Sequence, residues 1–151
     1  MIVEEAPTGE ASRALFAEYM ALVRSRLGDE FNPSEEIFAT ESAFNGPGTA
    51  WLVLYDGEAA VGCGGLRPLE PPIAEIKRMF VTGAARGRGH GRALLAELER
   101  RARELGYERV RLYTTEVLFE ARALYDDAGY QRIEAANVDD RAEDIWLEKR
   151  L

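Results

Sequence analysis

The sequence predicts one α/β domain of the α+β kind over residues 1–151, a mixed, mostly antiparallel sheet flanked by about four helices. Three observations carry this. An Asp56-Gly57 pair separates the apolar runs TAWLVLY and EAAVGCGGL, the strongest short-range signal of a β-hairpin. The segment ALLAELERRAREL, 93–105, repeats apolar residues at helical spacing and joins two strand-like runs at about 74–81 and 108–115. Strands joined by such a crossover run parallel in one sheet, so one parallel pair is expected among antiparallel neighbours.

In chain order, MIVEEAP reads as a short first strand. A helix follows from about Ala11, with Leu15, Phe16, Tyr19, Met20, Val23 and Leu27 on one face and Gly28 as its stop. Asp29 to Phe44 reads as a second, shorter helix between loops. The hairpin comes next, and Pro68, Pro71 and Pro72 are expected to end its second strand and open a loop. AEIKRMFV, 74–81, completes an antiparallel meander. The most regular helix places Leu94, Leu95, Leu98, Ala102 and Leu105 in one stripe, with Gly106 just past its last turn. ERVRLYTT, 108–115, is a strand, VLFEARALYDDAGY a helix ending at Gly129, and strands near 130–135 and 145–150 close the chain.

Composition excludes several classes of function. A length of 151 residues with 46% hydrophobic content supports one full core, and no repeat or linker divides it. No targeting segment and no run near the 18 or so apolar residues of a membrane span is visible, so a soluble, cytoplasmic protein is expected. The single cysteine, Cys63, permits no internal disulfide, and with the single histidine, His90, it makes no set of metal ligands. Cys63, within VGCGG, reads as a small buried hydrophobe. Nineteen basic against 27 acidic residues give a net charge of -8, which argues against a nucleic-acid partner bound over a broad surface. Positive charge is local: Lys77, Arg78, Arg86, Arg88 and Arg92 fall within 16 residues, whereas 29–41 and 139–144 are mostly acidic and read as solvated surface.

The basic cluster surrounds ARGRGHGR, 85–92, where arginine and glycine alternate around His90 directly before the regular helix. A strand, a glycine turn and a helix N-terminus make an anion site: unpaired N–H groups point outward and the helix end carries roughly half a positive charge. Glycine lets the backbone approach phosphate oxygens. The Walker loop is excluded because no Gly-Lys-Ser/Thr follows. The dinucleotide fingerprint fails because a third glycine would be needed at Arg92 or Leu94. An exposed, solvated turn and a short RNA-binding Arg-Gly tract are the bland alternatives.

Arg86-Gly87-Arg88-Gly89-His90-Gly91 matches the Arg/Gln-x-x-Gly-x-Gly/Ala signature, and the chain resembles the GNAT superfamily of N-acetyltransferases over nearly its whole length. KRMFV before the signature and ARALYDDAGY after it fit the same pattern. The resemblance implies a splayed parallel pair, a bulge in the 74–81 strand, and acetyl-CoA as acyl donor, with no metal. It assigns Met79, Phe80 and Val81 to pantetheine and the thioester, and Arg86, Gly87, Arg88, Gly89, His90, Gly91 and Arg92 to the pyrophosphate. It gives an N–H in the bulge an oxyanion-hole role. It implies Glu75 as general base, on a strand face shared with Lys77, Met79 and Val81, and Tyr125 as the acid that protonates the departing thiolate.

The bland alternatives are a glutamate paired with Lys77 or a neighbouring strand, and a core tyrosine at helical spacing with Leu118, Ala121 and Ala128. One departure is Leu118, where many relatives have asparagine; Thr114 or Thr115 is the candidate replacement. Trp51 and Trp146 read as core or pocket-wall aromatics, and Tyr113 and Tyr130 as either. The implied acceptor site is formed by the first helices and the late hairpin, here the two acidic segments, so a cationic primary amine of a small molecule or peptide is expected. A homodimer is also a possibility within the family. A non-catalytic acyl-CoA sensor of the same fold and an RNA- or nucleotide-binding module are the rival functions.

Overall fold

In the computed structural model of the chain, the described residues are 1–28, 44–114, 119–134 and 145–151. They form β1 (Ile2–Glu4), α1 (Glu10–Leu27), β2 (Ala50–Asp56), β3 (Ala59–Glu70), β4 (Ile73–Val81), α2 (His90–Glu104), β5 (Arg109–Thr114), α3 (Phe119–Asp127), β6 (Gln131–Ile133) and β7 (Ile145–Arg150). The strands make one sheet in the order β1-β2-β3-β4-β5-β7-β6. Every pairing is antiparallel except β4 with β5. The helix expected over 29–44 lies outside the described residues except for Phe44, and 115–118 and 135–144 lie outside them too.

Sequence pattern explains both faces of the sheet. Alternate residues of β2 supply two cores: Ala50, Leu52 and Leu54 join Leu94, Leu95, Leu98 and Ala102 of α2, while Trp51 and Val53 join Leu15, Cys63 and Phe80 on the α1 side. A sheet buried on both faces reads as a continuous apolar run, as AWLVL does. Helix α2 settles closely because glycines face it: a Cβ on Gly64 would lie 2.9 Å from Leu98 Cδ1. Trp51 is buried, and its indole N–H donates to Ser12 Oγ at 2.8 Å. Leu105, expected within the α2 stripe, is exposed because it caps the helix C-terminus instead of continuing its apolar face.

Two details differ from expectation. The prolines do not open a loop: β3 runs to Glu70 and β4 begins at Ile73, so Pro71 and Pro72 form a tight connection. Pro68 sits within β3 opposite Ala74, beside a register shift between Pro68 and Glu70, where a missing N–H costs the ladder little. The second difference concerns faces of β4. Cys63 pairs with Phe80 but Gly65 pairs with Lys77, so β4 holds one extra residue, a bulge at Arg78, whose φ is +59°. Ile76, Met79 and Val81 therefore all pack on the α2 side, while Phe80 packs on the α1 side. Glu75 does not share a face with Met79 and Val81, because the bulge shifts the alternation between them.

The parallel pairing is short. Ile73, Ala74 and Glu75 face Arg109, Val110 and Arg111, and no pairing follows although both strands continue. A gap opens in the sheet from Ile76 and Leu112 onward.

Gly65 tests the packing on the α1 side, since an added Cβ would strike the Phe44 ring and sit 2.7 Å from Trp51 Cε3. Gly65→Ala is expected to cost about 1–3 kcal/mol through overpacking. That corresponds to a midpoint lower by roughly 3–10 °C in a thermal melt followed by circular dichroism.

Candidate active site

The gap between β4 and β5 opens into a cavity of about 670 Å³. Ile76 to Val81 form one wall, Tyr113 and Thr114 another, the turn from Ala85 to Arg92 a third, and Tyr19, Leu22, Glu120, Ala121, Leu124 and Tyr125 close it.

The bulge shapes the first wall. The register with β3 shifts across Arg78 and Met79, so the backbone of β4 bends there beside the cavity. Cys63 Sγ donates to the Arg78 carbonyl at 3.7 Å, which steadies the bulge from behind. Burial pushes the Cys63 thiol up to about 12, which fits its reading as a packed hydrophobe.

The third wall presents glycine backbone and a helix N-terminus to the cavity. Gly87 and Gly89 both take φ +81°, the left-handed region that side chains resist, and nothing lies within 4 Å of where a Cβ would stand on either. Gly89 is the N-cap of α2 and supplies no side-chain cap, so among the described residues the first N–H groups of α2 have no capping partner. Gly91 serves a different purpose: a Cβ there would lie 3.2 Å from Leu124 Cδ2, so its absence lets α3 approach. The cavity as a whole is lined by Lys77, Arg78, Arg86 and Arg92 against one carboxylate among the described residues, Glu120. His90 Nε2 is buried in this wall without a hydrogen-bond partner, 3.8 Å from Asp56.

The sequence-predicted residues divide accordingly. Met79, Phe80, Val81, Arg86, Gly87, Gly89, His90, Gly91, Arg92 and Tyr125 line the cavity. Arg88 does not; it is mostly exposed and pairs with Asp56 at 3.3 Å. Glu75 lies off the wall. It is 2% exposed, receives Arg67 Nη2 at 3.0 Å, and lies 3.8 Å from the wall residue Lys77. Tyr125 is 5% exposed and sets its ring edge-on to Tyr130 at 5.8 Å. Burial, and then the nearby Tyr19 phenol, push its own phenol above the ordinary tyrosine value, so it stays protonated near neutral pH.

Thr114 lines the cavity, whereas Thr115, Leu118 and both acidic segments lie outside the described residues. Tyr113 is a wall residue with Lys77 Nζ 5.4 Å from its ring centre, and Trp146 packs behind it at 5.1 Å. The sequence did not single out Tyr19, Leu22 or Glu120. Tyr19 fell into the apolar stripe of α1, and a glutamate early in a helix carries no signal of its own.

The sequence profile of the acetyltransferase (GNAT) family matches residues 13–130. The chain belongs to the acetyltransferase (GNAT) family. It is 41% identical over 97 residues to the uncharacterized N-acetyltransferase YjgM of Escherichia coli, which covers 62% of this chain and 58% of YjgM. The chain thus spans little more than half the length of that relative. An acetyltransferase from Streptococcus agalactiae shares the GNAT fold with a TM-score of 0.84, at 19% identity, over 100% of this chain and 98% of that one. An aminoglycoside 6'-N-acetyltransferase complexed with coenzyme A shares it with a TM-score of 0.73, at 18% identity, over 99% of this chain and 96% of that one.

Among the described residues no group of three or more His, Cys, Asp or Glu gathers as a metal site. No helix there is long and apolar enough to cross a membrane.

The raised Cys63 thiol gives a chemical test of this geometry. Thiol reagents near neutral pH are expected to leave Cys63 unmodified in the native protein and to label it fully after unfolding. Native-state labelling at the rate of a free thiol would contradict the buried, bonded position.

Proposed function

We propose that this chain transfers an acetyl group from acetyl-CoA to a primary amine of a small molecule or peptide, by direct attack in a ternary complex. The observation that carries the reading is the parallel pair that stops pairing at Glu75 and Arg111 and opens on a cavity walled by the bulge, the glycine N-terminus of α2, and Tyr125. That cavity has the parts an acyl-CoA needs. The unpaired N–H groups and arginines of 86–92 suit its diphosphate, the slot beside Met79, Phe80 and Val81 suits its pantetheine arm, and no metal is required.

In this reading the amine lone pair attacks the thioester carbonyl, forming the C–N bond, and we assign a backbone N–H of the bulge to the oxyanion. The C–S bond then breaks, the thiolate takes the Tyr125 proton, and the proton lost by the new amide nitrogen restores the phenol. A lysine-like amine with pKa about 10.4 is neutral in only about one molecule in 10³ at pH 7, so a base is needed. Glu75 takes that role in our proposal. Its position behind Lys77 means that it works through a bridging water rather than by touching the amine.

Coenzyme A release from acetyl-CoA in the presence of a panel of primary amines tests the reading, and steady turnover with at least one amine is expected. Tyr125→Phe should then lower kcat on the order of 10²-fold, and Glu75→Gln by a similar factor. Because the Tyr125 phenol is raised, the wild-type rate should climb as the amine deprotonates and show no loss from Tyr125 below pH about 10. Binding of acetyl-CoA without release from any amine would favour a sensor instead. An unchanged rate in Glu75→Gln would reduce Glu75 to the partner of Arg67.

A further inference from the structure

Three elements that border the cavity are tied at one carboxylate. Glu120, in the first turn of α3, receives Arg26 in a two-pronged pair, Nη1 at 2.8 Å on one oxygen and Nη2 at 2.7 Å on the other. Arg26 belongs to the last turn of α1, a helix seated in the core through Leu15, Met20 and Val23. The same Glu120 carboxylate accepts Arg86 Nη1 at 3.2 Å, and Arg86 Nε donates to the Val81 carbonyl at 3.3 Å. Arg86 and Glu120 both line the cavity.

We propose that Glu120 is a positioning residue for the acyl donor, holding the Arg86 guanidinium in the orientation in which it meets the diphosphate of an acyl-CoA. The inference rests on the acyl-CoA reading above. A guanidinium is planar, so fixing Nε on Val81 and Nη1 on Glu120 also fixes the direction of Nη2, which has no protein partner among the described residues. The clamp from Arg26 matters because a carboxylate on a freely rotating side chain could not orient anything. Two arginines on one glutamate leave a net positive charge, so the cluster still attracts an anion.

Glu120 remains ionised across the ordinary pH range. The hydrogen bond from Arg26 leads in lowering its carboxyl to about 2. Preordering a long side chain removes a cost that binding would otherwise carry.

A simpler expectation has the opposite sign. Glu120 is an anion beside an anion site, and if it merely repelled the diphosphate, removing its charge would tighten binding. The dissociation constant of acetyl-CoA, measured calorimetrically in wild type, Glu120→Gln, Glu120→Asp, Arg86→Met and the Arg86→Met/Glu120→Gln pair, separates the two. The positioning role predicts binding about three- to tenfold weaker in Glu120→Gln. It predicts weaker binding in Glu120→Asp as well, which keeps the charge but withdraws it from Arg86, and no further loss from Glu120→Gln once Arg86 is gone.

Unchanged or tighter binding in Glu120→Gln would overturn the proposal. So would the same loss with and without Arg86, since Glu120 would then act on the fold at large. If Glu120→Gln fails to show a cooperative melt, Glu120→Asp alone decides between weaker and unchanged binding. A wild type that does not bind acetyl-CoA would overturn the donor reading itself, and with it this proposal.

Discussion

The structure turns on how briefly β4 and β5 stay together. Parallel strands gain from a continuous ladder, and here the ladder ends after Ile73, Ala74 and Glu75 have faced Arg109, Val110 and Arg111. Past that point each strand must satisfy its backbone elsewhere. On one side β4 keeps pairing with β3, through the bulge at Arg78; on the other β5 keeps pairing with β7 along its whole length. The sheet is thus continuous at one end and divided at the other, and the division is held open by strong antiparallel neighbours rather than by any feature within the cleft.

Everything chemically useful borders that division. The bulge of β4 lies beside it, and the strand that leaves the bulge runs into the glycine turn and α2. The positive end of α2 lies at the cavity because Gly62 and Gly64 let the helix pack tightly on β3, with Leu94 and Leu98 against them. The close approach of α3 over Gly91 brings Leu124 and Tyr125 to the opposite side. Small residues at contacts between elements therefore set the geometry of a cavity lined by large and charged ones.

Much of this was legible in the sequence because its signals are local. Asp56-Gly57 marks a hairpin by backbone conformation alone, the leucine stripe of α2 is a strict helical repeat, and ARGRGHGR combines free amides with glycine where a helix begins. The face of Glu75 was not legible. One inserted residue reverses strand alternation, and nothing in KRMFV states where the insertion falls until β3 is aligned beside it. The role of Pro68 was hidden for a related reason, since a proline is tolerated wherever the register slips and the sequence does not show the slip. Tyr19 and Glu120 were missed because their significance is tertiary. Glu120 gains its place only when Arg26 and Arg86, from distant parts of the chain, converge on it. The relation of α1 to the glycine turn is written in no motif.

The central claim is that the α2 N-terminus and the bulge of β4 hold the two parts of one acyl-CoA. Backbone amide resonances of isotope-labelled protein, followed during titration with coenzyme A, test it most directly. The account predicts saturable shifts that are largest at His90, Gly91 and Arg92 and at Met79, Phe80 and Val81, with β1 and β6 little changed. An absence of saturable shifts, or shifts centred away from both segments, would contradict it.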